Sequence, residues 1–219
     1  MTLAARLSDY APAIASGLLT TAALSAVAIA VGFVTAVGLY IARMRWPRGG
    51  VGLVRMYVSF FRGTPLLVQL LMLFYMPTAF GLDLNPWLVA MTVLGMNSAA
   101  FQSEILRSGF ASIPVAQIEA ARVFGLNQRQ ILWHIQMPQV LRLTLPSLVS
   151  ESIDIIKGSA VISVLAIADL MRVGKQLVAV TYRPLEVYLS IAAAYLLLTT
   201  LVAWSAAALM RRQHAGKHV

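Results

Sequence analysis

Four stretches of this chain carry no charged side chain: 10–42, 63–82, 84–103 and 187–210. Each is at least twenty residues long, and about twenty apolar residues let an α-helix cross the hydrocarbon core of a bilayer. Only 11% of the 219 residues are charged and 59% are hydrophobic, whereas a soluble domain carries about 25% charged residues. So little charge does not cover a soluble surface of this size. The chain reads as an all-α membrane protein with about five transmembrane helices, near 15–41, 63–80, 87–110, 139–168 and 187–210. No repeat, low-complexity tract or linker divides it, so 1–219 is a single domain.

The first predicted helix is rich in small residues, among them Gly17, Ser25, Ala28, Gly32 and Ala36, which allow neighbouring helices to approach closely. A basic connection follows, with Arg43, Arg45, Arg48, Arg55 and Arg62, and with Pro47, Gly49, Gly50 and Gly52 marking a turn. The connection 77–86 holds Asp83 and no basic residue. The connection 169–186 is mixed in charge and suits a short surface helix or a re-entrant segment. Placing the C-terminus in the cytoplasm puts twelve of the seventeen basic residues inside and four outside, with Lys157 within a helix. This bias favours an N-outside, C-inside orientation. It also accounts for the net charge of +9 without a nucleic-acid partner.

Several chemistries are excluded or unsupported. Without cysteine there is no disulfide, thiolate metal site or cysteine nucleophile. Gly174-Lys175 lacks the upstream glycine and following hydroxyl residue of a phosphate-binding loop. His134, His214 and His218 form no metal-ligand pattern, and no Ser/His/Asp arrangement is apparent. The sequence therefore predicts no catalytic residue and no metal site.

The orientation places residues 112–138 on the cytoplasmic side. Pro114 suits the first turn of a helix, Gly125 a left-handed stop, and Asn127 the cap of a second helix running to about residue 135. Pro138 is expected to end or redirect that helix. Glu119 is expected near the first turn, where the helix dipole favours a carboxylate. Ile118, Val123, Phe124, Leu126, Ile131, Leu132 and Trp133 are a large apolar load for such a segment. Some are expected to pack on the bundle and some to fill a partner's groove.

Glu151, Asp154 and Lys157 fall within the fourth predicted helix. Glu151 lies roughly 13 Å beyond Arg142 at about 1.5 Å per residue, near the middle of a core about 30 Å thick. An ionised group there costs at least about 2.5–3.5 kcal/mol, so these side chains should face a watery cavity or a partner. Asp154 and Lys157 are spaced to pair with each other, which leaves Glu151 for a substrate ammonium. Glu104 and Arg107 are spaced in the same way. Thr64, Gln69, Asn97 and Ser98 are further candidates for substrate binding, because amides and hydroxyls serve both ends of a zwitterion without a buried charge.

The sequence Glu119-Ala120-Ala121, three residues, Gly125, nine residues, Ile135-x-Met137-Pro138 resembles the cytoplasmic signature of permease subunits in ABC importers, with Met137 in the usual leucine position. Phe61 to Gln69, Glu104 to Gly109 and Ile156 to Val164 resemble segments of the polar amino-acid (histidine/glutamine/arginine/opine) branch, although Gly158 stands where that branch has aspartate. The resemblance implies that Glu119, Ala120, Ala121, Gly125, Ile135 and Pro138 couple to an ATPase. It further implies two ATPase subunits that bind ATP and magnesium, a second permease subunit, an extracytoplasmic substrate-binding protein and residence in the bacterial inner membrane. No cofactor is expected on this chain. The residues taken alone leave open an ion-coupled secondary transporter or channel, with Glu151 and Asp154 as a relay.

Overall fold

In a computed structural model the first charge-free stretch is a single helix, α1 (Leu3–Arg45), and the last is another, α9 (Pro184–Ala215). The structure describes residues 3–47 and 49–215, with side chains from Asp9 to Arg211 apart from Arg48. The side chains of Arg6, Arg212 and His214, and residues Lys217 and His218, lie outside the described residues, as does Arg48. Between the two long helices run α2 (Gly49–Gly63), α3 (Leu66–Thr78), α4 (Pro86–Ala111), α5 (Val115–Val123), α6 (Gln128–Gln130), α7 (Met137–Gly158) and α8 (Leu170–Thr181). No strand occurs among the described residues. The segments 9–45 and 184–211 are each long and apolar enough to cross a membrane, and α2 with α3, bent by 107°, would make a third crossing.

Helix α4 is the centre of the bundle. Asn85 caps it by accepting from the Trp87 N–H at 2.8 Å, with Pro86 in the first turn. Its principal neighbour is α1, whose buried Thr21, Ser25, Ala28 and Ala36 form a stripe of small residues at helical spacing. Gly32 continues that stripe. A Cβ there would lie 2.9 Å from Ser98 Cβ and 3.1 Å from Gln102 Nε2, so only glycine permits this approach of α1 to α4.

The expected basic connection after the first helix is instead α2. Gly49, Gly50 and Gly52 do not turn the chain: Gly50, Val54 and Val58 form a buried face at four-residue spacing, and Arg55 and Arg62 lie outside it. The break comes later than expected, at Thr64-Pro65, so the predicted second helix 63–80 begins at Leu66. Proline has no N–H to give the Phe61 carbonyl four residues back. Side chains replace that donor: Gln69 Nε2 donates to Phe61 O at 2.9 Å and Asn97 Nδ2 donates to it at 3.1 Å.

The fourth predicted helix also differs at its end. Helix α7 stops at Gly158 and tightens into a 3₁₀ segment, Ser159–Leu165, closed by Ala166 at φ 60°. The 169–186 connection contains α8, a helix capped by buried Asp169, which accepts from the Met171 and Arg172 N–H groups. Three apolar clusters hold the bundle. A central one joins α1, α3, α4 and the end of α7. One end gathers Tyr10, Leu170, Val187 and Ile191. The opposite end gathers Ala36, Leu106, Phe110, Ile113, Leu132, Met137 and Val140.

Candidate functional site

The cluster of Leu106, Phe110 and Met137 is the root from which the 112–138 element projects. Ile113 and Leu132, from its two arms, are both buried there. Tyr40 of α1 stacks on Phe110 with ring centroids 3.7 Å apart. Met137, in the place where the signature has leucine, is buried in the same cluster and fills an apolar position as leucine would.

The element is two short helices, α5 and α6, separated by Gly125 at φ +81°. Phe124 is the C-cap of α5. The Gly125 N–H donates to Arg122 O at 2.9 Å and the Leu126 N–H to Ala121 O at 3.1 Å, the paired bonds of a Schellman stop. Asn127 then caps α6 in a reciprocal box: its Oδ1 accepts from the Gln130 N–H at 3.0 Å, and Gln130 Oε1 accepts from the Asn127 N–H at 2.9 Å. Two details differ from the sequence expectation. Pro114 is the N-cap of α5, one position before the first turn. Glu119 lies beyond that turn, where the dipole no longer favours it.

Pro138 does not end the second arm. Residues Ile131–Gln136 form a π-helix that leads directly into α7, with Pro138 in its first turn. In a regular α-helix the proline ring would meet the His134 carbonyl; the widened turn relieves that clash, and the chain stays helical from Gln128 to Gly158. Gln139 Nε2 donates to Gln117 Oε1 at 3.0 Å, tying α7 to α5.

The apolar load divides between buried and exposed positions. Ala121, Ile131 and Leu132 are buried, and Ile118 and Leu126 are half-buried. Val123 and Phe124, at the tip, are 87% and 85% exposed. Glu119 and Ala120 are exposed beside them, Pro138 is exposed and Ile135 is half-buried. The sequence named Val123 and Phe124 among seven apolar residues without separating them. Their position as the last helical residue and the C-cap, just before the glycine, is the signal that they point away from the bundle.

The candidate substrate residues fall into two groups. Gln69 and Asn97 are buried at the α2–α3 corner. Gln69 Nε2 also donates to Thr64 O and Thr64 Oγ1, both at 2.9 Å, and Gln69 Oε1 accepts from Asn97 Nδ2 at 3.1 Å. The second group lies where α4 meets α7. Glu151 is only 8% exposed and its Oε1 has no hydrogen-bond partner. It lies within electrostatic reach of the Ser98 hydroxyl, Asp154 and Arg62. Ser98 Oγ accepts from Gln102 Nε2 at 2.8 Å, and that amide also donates to Ile29 O of α1 at 3.2 Å. Asp154 and Lys157 form the expected pair at 2.8 Å, with side chains 67% and 57% exposed. The three charges therefore divide: Glu151 turns into the bundle and the pair turns out of it. The Glu104–Arg107 pair is present at 2.7 Å, and Arg43 joins it at 2.8 Å, a partner that sequence spacing does not reveal.

A family profile described as "Binding-protein-dependent transport system inner membrane component" matches residues 35–214. The nopaline transport system permease protein NocM of Agrobacterium fabrum is 33% identical over 201 residues, which cover 87% of this chain and 83% of that protein. The arginine transport system permease protein ArtQ of Bacillus subtilis is 32% identical over 176 residues, 80% of each chain. A crystal structure described as an amino acid ABC transporter with histidines superposes with a TM-score of 0.87 at 32% identity, covering 94% of this chain and 97% of that one.

Proposed function

The chain belongs to the family of binding-protein-dependent transport system inner membrane components, and from that premise we propose that it is the permease subunit of an importer for polar amino acids. It is a permease component and not a catalytic subunit. Membership decides against the ion-coupled carrier that the residues alone left open.

The observation that carries the mechanism is the exposed Val123–Phe124 tip on a doubly capped turn whose second arm continues as α7. Helices α6 and α7 span roughly 45 Å at about 1.5 Å per residue, and Glu151 lies on that same rod. A push on the tip by an ATPase subunit would move the rod and, with it, the α4–α7 contact where Glu151 meets Ser98. In this reading Glu119, Ala120, Ala121, Gly125, Ile135 and Pro138 form and orient the coupling surface. ATP and magnesium belong to the partner subunits, and this chain's part is mechanical.

Glu151 with Ser98 would receive the substrate ammonium, and Asp154 and Lys157 would line the path against a second permease subunit. Thr64, Gln69 and Asn97 act mainly by holding the α2–α3 corner that frames it. Five membrane crossings, made by α1, α2 with α3, α4, α7 and α9, would place the termini on opposite sides, and the bias of basic residues favours the N-terminus outside and the C-terminus inside. Two ATPase subunits would then dock from the cytoplasm and a substrate-loaded binding protein from outside. The test is uptake by vesicles holding the permease pair, ATPase and binding protein, with a panel of amino acids. ATP-dependent uptake of a polar amino acid supports the reading; uptake that follows the membrane gradient and ignores ATP opposes it.

A further inference from the structure

Three concavities run side by side along α2 and round its corner into α3. The first, of about 440 Å³, lies between α1, α2 and α4 near the end of α1 and brings Arg43, Arg55, Arg62 and Arg107 around one carboxylate, Glu104. Arg43 and Arg107 both bond that carboxylate. Arg43 Nε is nevertheless buried with no hydrogen-bond partner, and the Arg62 guanidinium lies over the Phe101 ring at 5.1 Å. Four cations face one anion, so the cleft has an uncompensated positive charge. The second concavity is an open groove that shares Arg55 and Ser59 with the first and adds Met56 and Phe60. The third, of about 190 Å³, shares Phe60 with the second, is lined by Met72, Met76 and Met96, and presents only apolar atoms.

We propose that this bipartite site holds one anionic phospholipid, with its phosphate headgroup in the arginine cleft and an acyl chain passing Phe60 into the methionine-lined pocket. Guanidinium forks match phosphate oxygens in geometry and charge. Methionine side chains adapt to an irregular hydrocarbon chain. A free anion would use the first concavity alone and leave the third unexplained. A polypeptide would meet no hydrogen-bonding group in the third. Leu53 and Met56, exposed on α2 beside the arginines, suit contact with neighbouring lipid tails. Basic clefts of this kind between membrane helices on the cytoplasmic side bind acidic headgroups. The side of the membrane rests on the orientation given above, whereas lipid retention is read without any transport step, so each can fail alone.

The assembled transporter, extracted from nanodiscs holding equal phosphatidylglycerol and phosphatidylcholine, would be analysed by native mass spectrometry for retained lipid. Phosphatidylglycerol should be retained preferentially. Arg55→Gln with Arg62→Gln should weaken retention by about fivefold per arginine, the factor that corresponds to about 1 kcal/mol for each basic side chain near an acidic surface. Met76→Trp, which fills the apolar pocket and leaves the arginines intact, should weaken retention of long-chain lipid as well and serves if the arginine variant does not assemble. Equal retention of the two lipids, displacement by inorganic phosphate, or unchanged retention in Met76→Trp would overturn the proposal. So would efficient cross-linking of Met56→Cys to a second permease subunit, which would place protein where the lipid is assigned.

Discussion

Gln139 donates its side-chain amide to Gln117 at 3.0 Å, joining the start of the long α7 rod to the short helix α5 across the fold of the 112–138 element. The same nitrogen donates to Ile135 O at 2.9 Å, a carbonyl within the π-helix. One amide thus fastens the tip-bearing arm and steadies the widened turn beneath Pro138.

Gln117→Ala removes the link and leaves the root cluster intact. One neutral hydrogen bond contributes about 0.5–1.5 kcal/mol, so insertion and melting should change little. Stimulation of ATP hydrolysis by loaded binding protein should fall by more than stability does. Unchanged stimulation would mean that α5 and α7 move together without this bond.

Gly125→Val should abolish uptake while the permease still inserts. A side chain in the left-handed region costs about 1–2 kcal/mol, and a β-branched residue fits there worst. The φ of +81° also holds both Schellman bonds. Gly125→Asn should keep much of the activity, because asparagine tolerates this conformation. Wild-type uptake by the valine variant would remove the capped turn from the mechanism.

Gly32→Leu should destabilise the bundle by about 1–3 kcal/mol through overpacking, since even a Cβ would stand 2.9 Å from Ser98 Cβ. Thermal unfolding of the purified permease reads this directly. A melting temperature equal to that of the parent would show that α1 and α4 can separate without loss.

Gln69→Leu tests whether this amide is framework or substrate contact. It leaves the Phe61 and Thr64 carbonyls short of a buried donor, at a cost of about 1–3 kcal/mol. Lower stability with unchanged apparent substrate affinity is the expected pattern. Lost affinity at full stability would move Gln69 into the binding site. Glu151→Gln should do the opposite, lowering uptake at least about tenfold, the loss expected from removing one ionic contact worth about 1.4 kcal/mol or more, with melting little changed.

The sequence discloses much of this molecule for definite reasons. Charge-free runs mark α1 and α9 because bilayer crossing needs continuous apolar length. Gly125 and Asn127 disclose the capped turn because few residue types serve those backbone positions. Helix α2 is hidden because its glycines mimic a turn, and only the packing of Gly50, Val54 and Val58 makes them helical. The corner at Pro65 is hidden because its stability comes from Asn97, more than thirty residues away in sequence. Pro138 reads as a stop because a π-turn leaves no compositional trace. The division between buried Glu151 and exposed Asp154 depends on where α4 crosses α7, which local spacing does not encode.

The coupling role is tested most directly by site-directed thiol labelling and cross-linking at Val123→Cys, in a chain with no native cysteine. A membrane-impermeant maleimide should leave this residue unlabelled in intact cells and label it in inverted vesicles. A thiol placed on the ATPase subunit should trap it in a disulfide. Labelling from outside intact cells would contradict the account.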